Sequence, residues 1–234
     1  MPDTVLEIAG LNGWYGESHV LHGVDLRIEQ GEVVTLIGRN GVGKNTTLRA
    51  IMGILAKRSG TVKVMGAETI RMPPERVARL GVGYVPEERG IFASLTVTEN
   101  LMLPPTLAPG GMGVDEIYRM FPNLKERARS QGSKLSGGEQ QMLAIARILR
   151  TGARFILLDE PTEGLAPVIV QQISQVLDTV KSKGLTVLMV EQNFRFAANV
   201  ADRHYVMESG KIVDMIVKSD IAGKMERLEE YLGV

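Results

Sequence analysis

Three short stretches carry residue types that could do phosphate chemistry. The first, Gly38-Arg39-Asn40-Gly41-Val42-Gly43-Lys44, has the spacing G-x-x-x-x-G-K. Glycines let successive backbone N–H groups turn inward around phosphate oxygens, and a helix after Lys44 would point its positive end at them. Lys44 adds a full charge near the terminal phosphates. Chance gives this spacing roughly 0.1 times in a chain of this composition, so the flanks must decide between a phosphate loop and an ordinary glycine turn. They favour the loop, with an apolar strand before it and a helical pattern after it.

The second stretch is Phe155-Ile156-Leu157-Leu158-Asp159-Glu160. An apolar strand delivers two carboxylates to its C-terminal end, where ligands of open α/β sheets bind. Asp159 suits Mg²⁺, directly or through water. Glu160 suits a general base for an attacking water. The plain alternative is a strand that ends in a polar turn, with Pro161 as punctuation. The third stretch is Leu135-Ser136-Gly137-Gly138-Glu139-Gln140-Gln141. Ser136 and Glu139 have the spacing of a capping box, which alone would account for a helix start. Two glycines in a first helical turn, however, each cost about 1 kcal/mol against Ala. Gly137 and Gly138 are therefore read as exposing backbone N–H groups, a second anion site at a helix N-terminus. Two phosphate sites in one chain predict a shared nucleotide.

Positioning these residues requires a sheet. Val24, Leu26 and Ile28 alternate with polar residues, the pattern of a half-buried strand, and Gln30-Gly31 turns the chain into Glu32–Ile37, which reads as a fully buried strand of β-branched residues. After the glycine loop, Leu48, Ile51 and Leu55 share one helical face. Thr61–Met65 and Gly81–Val85 read as strands, with a short helix opened by Pro73-Pro74 between them. From Pro86 to Arg150 no convincing strand is visible. A capping box over Thr96–Glu99 predicts a helix starting at Glu99, and further helices are expected near Val114–Phe121 and Ser136–Leu149. The alternation then resumes. Phe155–Leu158 and Leu185–Val190 are buried strands, Pro167 starts a helix carrying Ile169, Ile173, Val176, Leu177 and Val180, and Phe194–Val200 is a short helix. His204–Glu208 and Lys211–Val217 flank Ser209-Gly210 as a hairpin, and Asp220–Leu232 is a charged amphipathic helix. Strands alternating with helices predict an α/β parallel sheet, with a separate antiparallel part near the start.

Composition narrows the function. The 234 residues hold 27 Lys+Arg and 27 Asp+Glu, for a formal net charge of zero. A protein bound mainly through nucleic-acid phosphates shows a basic excess, so that role is disfavoured. The absence of cysteine excludes disulfide scaffolds, thiolate metal sites and Cys nucleophiles, and fits a reducing cytosol without fixing the compartment. Apolar runs have strand length, well short of the ~20 residues that span a bilayer. Met1-Pro2-Asp3-Thr4 shows no basic-then-apolar leader. Any membrane part is expected from another chain.

The three stretches, in this order, resemble the ATP-binding-cassette (ABC) ATPase family, with Ser136–Gln141 as its signature motif 23 residues before Asp159. The likeness covers nearly the whole chain. It implies an α/β fold: a RecA-like phosphate-loop core with an antiparallel β subdomain and a helical subdomain. On that basis residues 1–234 form a single ABC ATPase domain. Residues 1–86 and 151–234 would be the core with its β subdomain, and 87–150 the helical subdomain bearing the signature. Two such domains would pair head to tail around ATP, held by Gly38, Arg39, Asn40, Gly41, Val42, Gly43, Lys44, Asn45 and Thr46 of one chain. Ser136, Gly137, Gly138, Glu139 and Gln140 of the other would close on it. Tyr15 resembles the aromatic that stacks on adenine. Asn45, Glu87 and Asp159 would manage Mg²⁺, and Glu160, Lys44 and Gln192 would serve catalysis. Family members mostly have Gln where Glu87 stands, Asp where Ala166 stands, His where Gln192 stands, and Ser or Thr where Asn45 stands.

Glu87, Gly164-Leu165-Ala166-Pro167 and Glu191-Gln192-Asn193 together resemble one subfamily, the second ATPase of branched-chain amino acid importers. The resemblance implies a homodimer or a heterodimer with a second ABC ATPase. It also implies two membrane permeases, a periplasmic binding protein and a peripheral place on the cytoplasmic face of an inner membrane. The Pro86–Asn100 stretch would receive a permease helix, with Ile91, Phe92 and Leu95 as apolar contacts. Two other readings stay open: a subunit that closes on ATP but hydrolyses it weakly beside a paralogue, and a urea or amide importer ATPase.

Overall fold

The structure, a computed structural model, describes residues 3–232; the leader reading at Met1 and Pro2 lies outside the described residues. Two sheets form. The first is antiparallel, in the order β2 (Ser18–Glu29), β1 (Thr4–Tyr15), β4 (Lys57–Val64), β5 (Ala67–Glu68). The second runs β10 (Lys211–Val217), β9 (Arg203–Glu208), β3 (Val33–Ile37), β8 (Thr186–Glu191), β7 (Phe155–Asp159), β6 (Val82–Val85). Its strands are parallel except β10, which closes an antiparallel hairpin with β9.

Every residue of β3, β7 and β8 is buried, as expected for strands covered on both faces. Successive side chains nevertheless serve different layers. Ile156, Leu158, Val187 and Met189 enter one apolar cluster, while Phe155, Leu157, Leu188 and Val190 enter the other. This period of two places the antiparallel sheet and α1 (Lys44–Ile51) on one face. On the other face lie α6 (Gly137–Arg150) and α7 (Pro167–Ser182), the latter burying Ile173, Val176, Leu177 and Val180.

Parallel register aligns the strand ends. Ile37 stands opposite Glu191, Val190 opposite Asp159, and Leu158 opposite Val85. The residues that leave these ends, Gly38, Gln192, Glu160 and Pro86, therefore emerge on one rim of the sheet.

Between β6 and β7 the chain is helical: α3 (Val97–Met102), α4 (Val114–Met120), α5 (Pro122–Glu126) and α6, with a 3-10 turn at Gly132–Lys134. Another helix, α2 (Pro74–Arg79), precedes β6, while α8 (Phe194–Val200) and α9 (Met225–Leu232) follow β8 and β10. Ile91 packs against the apolar cluster, whereas Phe92, Met102 and Leu103 are exposed.

The structure corrects several local expectations. The helix expected from Glu99 starts at Val97, because Thr96 is its cap and Glu99 its third residue. Leu55 is buried but lies beyond α1, which ends before Gly53 turns left-handed. The charged tail is split into a 3-10 segment at Lys218–Gly223 and α9. The long strand β1 escapes sequence reading because register shifts near Gly10 break its alternation.

Candidate functional site

On the aligned rim lies a cleft of ≈ 330 Å³, lined by Asn40, Gly41, Gly43, Lys44, Asn45, Thr46, Glu87, Glu160, Glu163 and Gln192. A larger hollow of ≈ 640 Å³ sits at the opposite strand ends, against Thr4, Met65, Arg154 and Lys183, and holds none of the residues singled out above. The smaller cleft is where the chemistry converges.

The glycine loop is shaped from outside as well as inside. Gly38 has φ 152°, and a Cβ there would lie 2.3 Å from the Met207 carbonyl oxygen of β9. Gly43 has φ 109°, and a Cβ would lie 2.9 Å from Leu21 Cδ2. Neither position tolerates a side chain. From the β9–β10 turn, the Gly210 N–H donates to the Val42 carbonyl at 2.9 Å. Inside, Lys44 is buried, and its ammonium donates to the carbonyls of Gly38 at 2.8 Å and Arg39 at 3.0 Å. Burial pulls its pKa below the usual lysine value, against the opposing charges of Glu160, Asp159 and Glu191. No side chain caps α1 and its first turn holds no acid, so its orphan N–H groups face the cleft.

Asp159 is buried, and its Oδ2 accepts from the Tyr84 hydroxyl at 3.0 Å. Its Oδ1 is buried with no hydrogen-bond partner. Burial is the main cause raising its pKa to about 6, with Glu87 and Glu88 adding and the Tyr84 bond opposing. Asp159 does not line the cleft itself but an adjoining hollow of ≈ 130 Å³ shared with Asn45, Tyr84 and Glu87, and its orphaned carboxylate oxygen is the donor chemistry a hard cation takes. Asn45 donates its amide N–H to Glu87 Oε2 at 3.1 Å, so two of the proposed metal residues are paired with each other. Among the described residues no group of three or more His, Asp or Glu is arranged so that it could hold a metal ion.

Glu160 adopts a left-handed backbone, φ 47°, and accepts from Gln192 Nε2 at 2.5 Å. Burial raises its pKa to about 7; Glu163 adds to the rise, while the Gln192 bond and the Lys44 charge oppose it. A carboxylate poised near neutrality can take a proton from water.

Three contributors have no individual role assigned from sequence. Glu163 lines the cleft from the turn after Glu160, and its spacing of three residues was the available signal. Tyr84 reaches Asp159 from the neighbouring strand. Glu191, 2% exposed, accepts four hydrogen bonds from Thr162, Gln192 and Asn193.

The third stretch lies elsewhere. None of Ser136 to Gln140 lines the cleft, nor does Tyr15, which is 45% exposed where β1 turns into β2. Ser136 caps α6 in a complete capping box: its Oγ accepts from the Glu139 N–H, and Glu139 Oε2 accepts from the Ser136 N–H at 2.7 Å. Gln140 accepts from Arg89 at 3.0 Å and donates to the Gly132 carbonyl at 3.1 Å. Gly138 also serves packing. It is buried, and a Cβ there would lie 2.8 Å from the Ile169 side chain, so close packing of α6 on α7 demands the glycine.

Comparison with known proteins agrees with this geometry. A family model described as ABC transporter matches residues 21–163. The high-affinity branched-chain amino acid transport ATP-binding protein BraG of Pseudomonas aeruginosa is 41% identical over 98% of this chain and 100% of its own. A probable branched-chain amino acid transport ATP-binding protein, LivF of Archaeoglobus fulgidus, is 36% identical over 89% of this chain and 90% of its own. The lipopolysaccharide export system ATP-binding protein LptB of Haemophilus influenzae is 33% identical, covering 98% of both chains. Among solved structures, the dimeric bacterial ABC transporter cassette MJ0796 is 26% identical with a TM-score of 0.80, over 91% of this chain and 98% of that one. With a family model covering more than half the chain and BraG 41% identical over nearly its whole length, this protein belongs to the ABC transporter family as an ATP-hydrolysing cassette.

Proposed function

We propose that the chain powers import of branched-chain or other hydrophobic amino acids as one ATPase subunit of a bacterial transporter. The observation that carries the catalytic part is the single cleft holding Lys44, Glu160 and Gln192, with Glu160 poised at about 7. Lys44 and the loop amides bind phosphates, Glu160 takes the proton of the attacking water, and Gln192 orients Glu160. Mg²⁺, held by Asp159, Glu87 and Asn45, would neutralise charge on the phosphates when bound. Tyr15 would stack on adenine. The signature residues Ser136 to Gln140, remote from the chain's own cleft, would meet the nucleotide of a second cassette. Residues 87–150 would act as the helical subdomain, with exposed Phe92, Met102 and Leu103 facing a permease.

Likeness to BraG over the full chain supports the substrate, and likeness to LptB supports the competing reading of an exporter cassette. Uptake of radiolabelled leucine by cells lacking this chain separates them. Supplying the chain should restore uptake, and supplying Lys44→Ala should not. Uptake that never depended on the chain would overturn the import reading. The Asn45–Glu87 bond favours one further possibility, a subunit with weak hydrolysis beside a paralogous ATPase.

A further inference from the structure

β7 and β8 are neighbours, with Asp159 opposite Val190, and their ladder ends with the Glu160 N–H donating to the Val190 carbonyl at 3.0 Å. It cannot continue, because Pro161 has no N–H to give. The two chains leave the sheet here, one into the turn Glu160 to Glu163, the other into Gln192 and Asn193. Glu191 replaces the missing rungs with its side chain. Its Oε1 accepts from the Thr162 N–H at 3.1 Å and the Thr162 hydroxyl at 2.7 Å. Its Oε2 accepts from the N–H groups of Gln192 and Asn193, both at 3.1 Å. Asn193 in turn caps α8 by accepting from the Phe196 N–H at 3.1 Å.

We infer that Glu191 is a positioning residue for hydrolysis: it ties the turn bearing Glu160 to the turn bearing Gln192 and so fixes the contact between those side chains. The inference rests on the reading of Glu160 as the base. A buried carboxylate is costly to retain, and this one persists because four donors satisfy it. Where the stability is recovered is in alignment. Gln192 reaches Glu160 through a flexible side chain, and Glu160 sits in a left-handed conformation that only an over-determined surrounding maintains. A displacement of about 1 Å between such groups can cost on the order of 100-fold in rate.

The test uses the full-length chain with Mg-ATP, measured well below its melting temperature. Glu191→Gln keeps the shape but turns an N–H₂ toward donors that need an acceptor. It should lower kcat by about tenfold or more, while KM for ATP and Kd for ADP change by no more than about threefold, because Glu191 hydrogen-bonds to Thr162, Gln192 and Asn193 and acts on Lys44 only through its charge. Adding Gln192→Ala should cost no more than either change alone, since both act through the orientation of Glu160. Should Glu191→Gln fail to fold, Thr162→Val, which removes one donor without changing size, should still lower kcat about threefold with KM unchanged. Wild-type kcat in the folded variant, kcat and KM that worsen together, or additive losses with Gln192→Ala would each overturn the inference. Glu160→Gln run alongside isolates the underlying reading: if it hydrolyses ATP normally, the base assignment fails, whatever Glu191 does.

Discussion

The chain contains two glycine-marked helix starts that look alike in sequence and are built in opposite ways. α1 begins at left-handed Gly43, with no capping side chain and no acid in its first turn. α6 begins at Ser136 with every element of a capping box in place, including the Glu139 carboxylate turned back onto the Ser136 N–H. The first start leaves its donors unclaimed and so is preset for an external anion. The second carries its own anion and is stable unassisted, so any phosphate arriving there must share donors with Glu139. A third start, α7, has neither device: Ala166 occupies its cap position and offers no acceptor.

The largest test of this contrast is Glu160→Gln. Removing the base while sparing the phosphate loop should stop turnover and hold ATP between the two kinds of helix start. A dimer seen by light scattering at saturating Mg-ATP is expected. A monomer under those conditions, with or without a paralogous cassette, would leave the α6 start as a structural cap and nothing more. Next in size is Asn45→Thr. A hydroxyl would replace an amide now committed to Glu87, and the ATPase rate should rise about tenfold, equivalent to about 1.4 kcal/mol of barrier. The Mg²⁺ requirement should fall with it, and metal-free ADP affinity should change little. Superimposable Mg²⁺ titrations of the two proteins would show that Asn45 serves as well as a hydroxyl. Glu139→Ala should remove half of the capping box and lower stability by about 1 kcal/mol in urea melts. If α6 also receives a phosphate, the same change should not weaken ATP-driven dimerisation, because it frees donors. Smallest is Ala166→Asp, which supplies α7 with the acceptor it lacks and should add about 0.5–1 kcal/mol by the same melts. No gain would mean that the loop before α7 cannot hold a cap geometry.

Much of this was legible in sequence wherever a local rule decided. The apolar runs of β3, β7 and β8, the hairpin at Ser209-Gly210, the capping boxes at Thr96 and Ser136, and the cleft residues Lys44 and Glu160 follow from short-range pattern, whereas Glu87 and Gln192 enter only through the family resemblance. What stayed hidden depends on strand register. Tyr84 and Asp159 are 75 positions apart and meet only because β6 pairs with β7. Glu191 is legible only as one letter of the Glu191-Gln192-Asn193 resemblance, since its partner Thr162 comes from the neighbouring turn. β1 is hidden because its bulges disrupt the alternation that reveals a strand, and the packing role of Gly138 is hidden because its reason lies on α7, not on its own helix.

Beside Leu21, the outer wall of the phosphate loop is made of Met207 and Gly210, which lie far downstream of the residues they hold. During synthesis the motif Gly38 to Lys44 therefore leaves the ribosome long before its wall exists. Until β9 and its turn arrive, the loop has its glycines but not the contacts that fix their unusual angles, and closing so long a segment carries an entropy cost. Nucleotide capture by this protein is thus a late event in folding. A chain cut before Met207 would keep every letter of the phosphate motif and lose the shape that makes it a site.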